Sequence, residues 1–284
     1  MNLVRRTAAV TLVILLIATL AAACASGNPT PTPIPTATAV PATPTPIPTP
    51  TPTVEPTATA IPDPTTEPAP VPGATSIVLA PVADATLYDR SSLLASNGSG
   101  EYLYFGFTDD NETRRALVRF DVAGAIPAGA RIASAKLVLN VDRTRDDDVV
   151  PFTVHRVTAG WTEGASYSQT AGQGSGTAPG DGDVTWVHST FPDVMWENPG
   201  GDFEPKPSSS TTVGAPPRGQ LLPITWPSTD AMIADVQGWL DDTAGSYGWV
   251  VLGREESRQT ARRVRAREHE EGNSHPRLVI EYLP

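Results

Sequence analysis

A proline-rich segment, residues 25–74, is the feature that most limits what this chain can fold into. It holds 16 of the 30 prolines of the 284-residue sequence, many alternating with threonine, and it contains no lysine, arginine or aromatic residue. Proline fixes φ, lacks a backbone N–H and pushes the preceding residue toward extended conformations. Because such a segment cannot bury a core, we predict a disordered stalk here and place the globular domain in residues 75–284. At 3.1 Å per residue the stalk would reach about 150 Å.

The N-terminus, residues 1–24, predicts export and lipid anchoring. Two arginines precede an apolar run over residues 8–23, which is the order of a secretory signal peptide. A transmembrane anchor is the alternative interpretation of the same run. Residues 21–24, Ala-Ala-Ala-Cys, resemble a bacterial lipobox, in which the cysteine becomes the acylated first residue of the mature protein. We therefore expect lipidation at Cys24 and an extracellular domain anchored to the membrane at the bacterial cell surface.

Charge and cysteine content exclude several classes of protein. The formal net charge of −11 and the pI near 4.8 argue against a nucleic-acid partner. The single cysteine leaves no intramolecular disulfide, so a cysteine-stapled secreted fold is excluded.

Alternating apolar residues with turn signals between them predict many short strands in residues 75–284. The predicted strand segments are 76–81, 101–107, 116–121, 135–141, 152–157, 184–187, 247–252 and 277–282. One segment differs, because Met232, Val236 and Trp239 recur at helical spacing, with Thr229 or Asp230 as the N-cap at its start. These patterns predict an all-β fold, an antiparallel jelly-roll β-sandwich with one short helix, interrupted by a low-complexity insertion over residues 165–220.

Short motifs follow one another in a recognisable order along residues 81–284. They are Asp84-Ala-Thr-Leu, Arg114-Arg-Ala-Leu-Val-Arg-Phe-Asp, Ile126-Pro-Ala-Gly-Ala, Ile132-Ala-Ser-Ala-Lys-Leu, Val154-His-Arg-Val, Trp161-Thr-Glu-Gly, Asp183-Val-Thr-Trp-Val-His, Trp196-Glu-Asn-Pro-Gly-Gly-Asp-Phe, Gly248-Trp-Val-Val-Leu-Gly, Ala261-Arg-Arg-Val-Arg-Ala-Arg-Glu and Pro276-Arg-Leu-Val-Ile-Glu-Tyr. Together they resemble the DNRLRE domain, a family related to carbohydrate-binding module family 96. Ala266 and Val264 depart from it, since the family tends to have Ser and Phe there. The resemblance implies a jelly-roll sandwich in surface proteins, and carbohydrate binding in part of the family.

Arginines crowd into one stretch of this acidic domain. They are Arg254, Arg258, Arg262, Arg263, Arg265 and Arg267. If residues 261–268 form a strand, Arg263, Arg265 and Arg267 share one face, and a row of guanidinium groups suits the bidentate binding of carboxylated or sulfated sugars. The alternative is pairing with the glutamates nearby in the sequence.

Two tryptophans complete the predicted ligand-binding set. Trp186 and Trp196 lie in the long insertion, where they could stack on sugar rings. Trp239 and Trp249 instead follow the helix and strand patterns, so we expect them in the core.

Metal and catalytic signals are weak. Residues 146–148, Asp-Asp-Asp, and the pair Asp181 and Asp183 offer oxygen ligands for calcium, but a solvated turn is the alternative in both places. We predict no cofactor, leave a structural calcium open and assign no metal ligands. The sequence has no nucleophile elbow and no zinc-ligand spacing, so we do not expect an enzyme.

These observations lead to three hypotheses. The first is a non-catalytic lipoprotein whose sandwich domain binds polysaccharide or cell-wall glycan, with anionic polysaccharide among the candidate ligands. The second is a structural or adhesive surface protein without a sugar ligand, which predicts no groove, paired arginines, and a buried Trp186 and Trp196. The third is a polysaccharide-degrading enzyme, which requires carboxylates that converge in a cleft.

Overall fold

The computed structural model describes residues 71–90, 93–256 and 259–284. The predictions made for the signal peptide, for Cys24 and for almost all of the stalk lie outside these ranges. The described residues all belong to one compact unit, Thr65–Pro284. None of the helices in the described ranges has the length and apolarity that crossing a membrane requires.

The regular elements of the described chain are antiparallel strands and one α-helix. The strands are β1 (Thr75–Leu79), β2 (Ala83–Tyr88), β3 (Tyr102–Phe107), β4 (Thr113–Arg119), β5 (Arg131–Thr144), β6 (Val150–Arg156), β7 (His188–Thr190), β8 (Val194–Met195), β9 (Ser209–Val213), β10 (Leu222–Trp226), β11 (Trp249–Leu252), β12 (Arg262–Arg265) and β13 (Arg277–Leu283). The helix is α1 (Asp230–Asp241), and Thr243–Gly245 and Gly272–Ser274 form single 3-10 turns. The prediction of an all-β, antiparallel sandwich-like fold with one short helix is confirmed.

Eleven of the described strands form one strongly curled sheet, and β7 and β8 form a separate hairpin. One layer has the order β1-β13-β5-β12-β3, with β10 on the other edge of β5. The second layer contains β2, β4, β11, β6 and β9. Strand β3 links the layers, since residues 102–105 pair with β12 whereas Gly106 and Phe107 pair with β4.

Glycine is required where β3 passes from one layer to the other. Gly106 has φ +103°, and a Cβ there would lie 2.7 Å from the carbonyl oxygen of Thr260. Only a residue without a side chain fits both this backbone conformation and this close approach.

The main core lies between the layers and under the helix. Residues Phe105, Val118 and Trp226 are among its fully buried members. Helix α1 packs against β5 and buries the apolar side chains that the sequence places at helical spacing. The predicted N-cap is confirmed, because Thr229 Oγ1 accepts the Met232 N–H at 3.1 Å.

A second, smaller core covers the outer face of β4 and β11. Leu117 and Val250 pack there with Trp161, Val184 and Trp196, which come from the long segment after β6. Part of the predicted low-complexity insertion therefore folds onto the sheet and buries apolar side chains. The strand predicted over residues 184–187 is wrong, since β7 begins only at His188.

Candidate functional site

A cleft of about 280 Å³ opens beside β3 and the C-terminal end of β5. Its lining residues are Tyr104, Phe107, Thr108, Asp109, Asp110, Arg114, Arg143, Thr144, Arg145, Thr170, Ala171, Gly172, Gly174, Ser175, Gln259, Ala261 and Arg263. Four arginines and two aspartates line it, so cationic side chains outnumber anionic ones among the lining residues although the chain as a whole is acidic. We take this cleft as the candidate functional site.

Two of these arginines come from the end of β5. Arg143 is the penultimate residue of the strand, and Arg145 directly follows its last residue, Thr144. Both are exposed, and Arg145 Nη1 lies 2.8 Å from Asp109 Oδ2. Arg143 has no hydrogen-bond or ion-pair partner within the described ranges. Its guanidinium is therefore available to a ligand.

Arg263 stands directly opposite Arg143 in the pairing of β12 with β5. Like charges that face each other across strands repel. The charge of Arg263 is balanced by Asp142, because Arg263 Nε donates to Oδ1 at 2.7 Å and Nη2 donates to Oδ2 at 2.8 Å. Burial lowers the pKa of Arg263, yet the hydrogen bonds and charge of Asp142 outweigh burial, and the pKa lies above its ordinary value. Arg263 also lies over the Tyr102 ring, 3.8 Å from its centroid.

The glycine-rich segment 170–175 forms the opposite wall. Tyr104 donates its hydroxyl hydrogen to the carbonyl oxygen of Gly172, which fixes this wall against β3. Burial raises the pKa of Tyr104, so the hydroxyl keeps its proton. A Cβ on Gly172 would lie 3.3 Å from Arg263 Nη1 and 3.9 Å from Arg143 Nη1. The two guanidinium groups therefore converge at this point.

The predicted arginine row does not form as one surface. Strand β12 ends at Arg265, so Arg267 lies beyond it. Arg265 pairs with Glu271, and its Nη1 is also 3.1 Å from Ser274 Oγ. Of the three predicted arginines, only Arg263 lines the cleft. All three pair with carboxylates. Arg265 with Glu271 and Arg267 with Glu268 are pairs with nearby glutamates, as the alternative interpretation has them. Arg263 instead pairs with Asp142, and Arg267 also pairs with Glu163, both distant in sequence.

The two predicted tryptophans lie away from the cleft. Trp196 is buried in the smaller core, 4% exposed, and donates its indole N–H to the Thr185 carbonyl at 3.0 Å. Its ring faces have no room for a sugar in this structure. Trp186 is half-buried, and the Arg115 guanidinium lies over its ring, 4.7 Å from the centroid.

Three of the sequence motifs meet in a carboxylate cluster. One oxygen each from Asp84, Glu163 and Glu268 lie within 4.8 Å of one another. Burial, followed by the charge of Glu268, raises the pKa of Asp84 well above its ordinary value. Burial and then the charge of Glu163 raise the pKa of Glu268 to about 7. The cluster therefore favours holding a proton near neutral pH.

These carboxylates are the described group whose number and spacing could hold a metal ion. However, the Arg267 guanidinium already bonds both oxygens of Glu163, and its Nε lies 2.8 Å from Glu268 Oε1. A guanidinium and a retained proton balance much of the charge, so we assign no metal here. The three carboxylates line neither the cleft beside β3 and β5 nor a second cavity, of about 350 Å³, beside Arg119 and Trp239. The enzyme hypothesis requires carboxylates that converge in a cleft.

The two acidic turns considered for calcium have protein partners. Asp146 Oδ1 lies 3.1 Å from Nη2 of the fully buried Arg262. The Asp183 carboxylate, also fully buried, accepts three backbone N–H groups, from Ala165, Ser166 and Gly180. The Asp146 and Asp183 carboxylates therefore already have protein partners. A structural calcium stays a prediction.

Sequence reasoning missed most of the cleft. Arg143 and Tyr104 come from two strands, and they meet a loop about seventy residues away from Tyr104 in sequence. The segment Asp142-Arg-Thr-Arg just past the predicted strand 135–141 was the available signal, because β5 continues to Thr144 and so includes Arg143. No family model and no curated protein sequence matches this chain.

Proposed function

We propose that this protein is a non-catalytic, saccharide-binding surface protein, and that anionic polysaccharide binds in the arginine-lined cleft. The observation that carries the proposal is Arg143, an exposed guanidinium in a cleft whose other arginines are paired. Arg114 pairs with Glu112, Arg145 with Asp109 and Arg263 with Asp142. An unpaired guanidinium can bind a carboxylate or sulfate group through two parallel hydrogen bonds.

The test is affinity electrophoresis of the full chain through gels that contain polygalacturonate or dextran sulfate. We expect retention that falls with added salt, because part of the binding energy is electrostatic. Arg143→Ala should weaken the affinity about tenfold or more, the loss expected for a charge-assisted bidentate contact. The matched control is Arg277→Ala, since Arg277 is an exposed strand arginine that does not line the cleft. Equal affinity of the two variants, or no retention of the native chain, would overturn the proposal.

The placement of this domain belongs to the same proposal. Acylation at Cys24 and a stalk over residues 25–74 would hold the domain outside the cell at a distance from the membrane, where it reaches cell-wall or extracellular glycans. The motif order supports a relationship to the DNRLRE domain. Mass spectrometry of the purified protein for an acylated N-terminal Cys24 tests the anchor independently of ligand binding.

A structural or adhesive surface protein is the second candidate. It is favoured by the pairing of Arg263, Arg265 and Arg267 with carboxylates and by the burial of Trp196. It differs from the first proposal at Arg143, because a purely structural domain has no use for this exposed guanidinium. A native chain that no polysaccharide retains, and whose stability Arg143→Ala leaves unchanged, would favour this candidate.

A further inference from the structure

Gly172, in the wall of the arginine-lined cleft, leaves a position empty where any other residue would place its Cβ. The backbone there has φ +80°. A Cβ at this position would lie 3.3 Å from Arg263 Nη1, 3.8 Å from the Tyr104 hydroxyl oxygen and 3.9 Å from Arg143 Nη1, and these are the nearest atoms apart from those of the chain neighbours. Two guanidinium nitrogens and one phenol oxygen therefore surround the position.

These surroundings set Gly172 apart from glycines that serve the backbone alone. Gly129 has a similar φ of +85°, but a Cβ there would meet no atom within 4 Å. At Gly106 a Cβ would collide with a backbone carbonyl oxygen. The nearest atoms at Gly172 are instead the ends of polar side chains, two of which are cationic and bind oxyanions readily.

Two positive charges meet at this position, and the protein balances one of them. Asp142 accepts hydrogen bonds from Nε and Nη2 of Arg263, at 2.7 and 2.8 Å, whereas Nη1 is the atom nearest the position in front of Gly172. Arg143 has no hydrogen-bond or ion-pair partner among the residues that the structure describes. One positive charge is therefore left unbalanced where the two Nη1 atoms converge.

The third neighbour, Tyr104, adds a hydrogen-bond acceptor. Its hydroxyl hydrogen is donated to the Gly172 carbonyl oxygen, and burial raises the pKa of the phenol, so the proton stays in place. The phenol oxygen then offers lone pairs to a ligand. A group at the empty position thus meets donors on two sides and an acceptor on the third. This arrangement suits an oxyanion whose neighbouring hydroxyl group donates to the tyrosine, as on a sugar ring.

Hydrogen bonds from within the domain hold this wall in place. Gln173, which follows Gly172, is 3% exposed. Its Oε1 accepts the Asn97 Nδ2–H at 3.0 Å and the Glu101 backbone N–H at 2.9 Å. The side chain of Gln173 therefore anchors the wall in the domain, and little order has to be created when a ligand binds.

We infer that an oxyanion of the polysaccharide, either a carboxylate or a sulfate group, lies in front of Gly172 between the guanidinium groups of Arg143 and Arg263. One of its oxygens accepts from Arg143 Nη1 and another from Arg263 Nη1. Gly172 is a specificity-determining residue, because any side chain there would occupy the place of the oxyanion. The inference rests on the proposed saccharide-binding function and adds Gly172 and the paired Arg263 to its binding residues.

The test compares Gly172→Ala with Gly129→Ala by affinity electrophoresis of the full chain through polygalacturonate or dextran sulfate. Both variants place a Cβ on a backbone with φ of +80° or +85°, so both carry a similar strain. Only the Cβ at position 172 fills the space between the two guanidinium groups. We expect Gly172→Ala to weaken the affinity about tenfold, the loss expected for a charge-assisted contact, and Gly129→Ala to leave it unchanged. Equal affinities of the two variants would overturn the inference.

A second pair of variants tests Arg263 without straining the backbone. Arg263→Lys keeps the positive charge beside Asp142, but a lysine ammonium lacks the fork that reaches Asp142 and a ligand together. We expect its affinity to fall about fivefold. The matched control is Arg265→Lys, because Arg265 pairs with Glu271 and does not line the cleft. If Arg263→Lys binds as tightly as Arg265→Lys, then Arg263 has only a structural role and the shared site is wrong.

The outcome is separable from that of the proposed function. Loss of affinity in Arg143→Ala but not in Gly172→Ala would remove only the inference, and leave an anionic ligand that binds Arg143 alone. A native chain that neither polymer retains would remove the proposed function and the inference with it. The two polymers also distinguish the sources of the oxyanion, since polygalacturonate carries carboxylates and dextran sulfate carries sulfate groups.

Discussion

Arg267 and Glu163 form a bidentate ion pair, with Nε 2.9 Å from Oε1 and Nη2 3.0 Å from Oε2. The pair joins segments 104 residues apart. Asp84 completes a ring of contacts, since its N–H donates to Glu163 Oε1 at 2.7 Å and its Oδ2 accepts the Arg267 N–H at 2.9 Å. This ring ties β2 to the segment after β6 and to the segment after β12.

The first prediction removes the cation from this ring. Arg267→Met keeps an unbranched side chain of similar length but leaves Asp84, Glu163 and Glu268 without the guanidinium. Breaking a fully buried ion pair costs about 3–5 kcal/mol. Because the Arg267 side chain is 36% exposed, water weakens this pair, and we expect a smaller loss of about 2 kcal/mol in the free energy of unfolding at pH 7. Urea denaturation of the full chain measures it.

Arg265→Met is the matched control for that experiment. Its partner Glu271 is 54% exposed, and ion pairs with an exposed member contribute below about 1 kcal/mol. A loss for Arg265→Met as large as that for Arg267→Met would contradict a special role for the carboxylate cluster.

The second prediction concerns pH. Burial and the neighbouring charge of Glu163 raise the Glu268 pKa from its ordinary value of 4.5 to about 7. The folded state then binds a proton that the unfolded state has already released, so stability falls as the pH rises from about 4.5 toward 7 and levels off above it. A rise of this size corresponds to at most about 3 kcal/mol. The free energy of unfolding at a series of pH values measures the slope.

Glu268→Gln isolates this contribution, because a glutamine cannot titrate. Burial lowers the pKa of His155 and of His269, so these two groups make stability rise with pH near pH 6. The quantity to compare is therefore the difference in the free energy of unfolding between the native chain and the variant at each pH. We expect Glu268→Gln to have a smaller fall in stability, since the raised pKa of Asp84 still contributes, and Glu271→Gln, at an exposed position, to keep the full fall. Parallel pH profiles for all three proteins would refute the prediction.

The strands and the helix were largely predictable from local patterns. Met232, Val236 and Trp239 give α1 its period, and Thr229 marks its start, because helix spacing and N-capping are properties of adjacent residues. The strand alternation similarly predicts β5 and β13. The segment 184–187 was assigned wrongly, since Val184 is buried in the smaller core without pairing as a strand. Strands β2, β7, β8, β9 and β10 were not predicted.

The sites were harder to predict, because their residues are distant in sequence. The motifs that contain Asp84, Glu163 and Glu268 were identified in order, but nothing in the sequence states that their carboxylates meet. Arg263 was selected as a member of an arginine row and lies in the cleft, although the row itself does not form. Its neighbour Arg143 was missed because β5 extends beyond the apolar run that predicted it.

The last prediction tests how the segment after β6 is held in place. Asp183 Oδ1 accepts the N–H groups of Ala165 and Ser166 at 2.9 and 3.2 Å, and Oδ2 accepts that of Gly180 at 2.6 Å. An amide has only one acceptor oxygen, so Asp183→Asn turns an N–H group against a backbone donor. We expect a loss of about 2–3 kcal/mol in the free energy of unfolding, since buried donors are left unpaired. The amides of residues 165, 166 and 180 should also exchange hydrogen faster.

Asp181→Asn provides the control, because Asp181 is an exposed carboxylate in the same turn. Substitutions at exposed positions change stability by less than about 0.5 kcal/mol, so this variant should match the native chain in both measurements.

The same comparison, made with and without calcium, tests whether Asp183 binds calcium. If Asp183 acts through backbone N–H groups, the loss in Asp183→Asn is the same with calcium and with a chelator. A loss that appears only in the presence of calcium would instead make Asp183 a metal ligand and restore the calcium prediction for this turn.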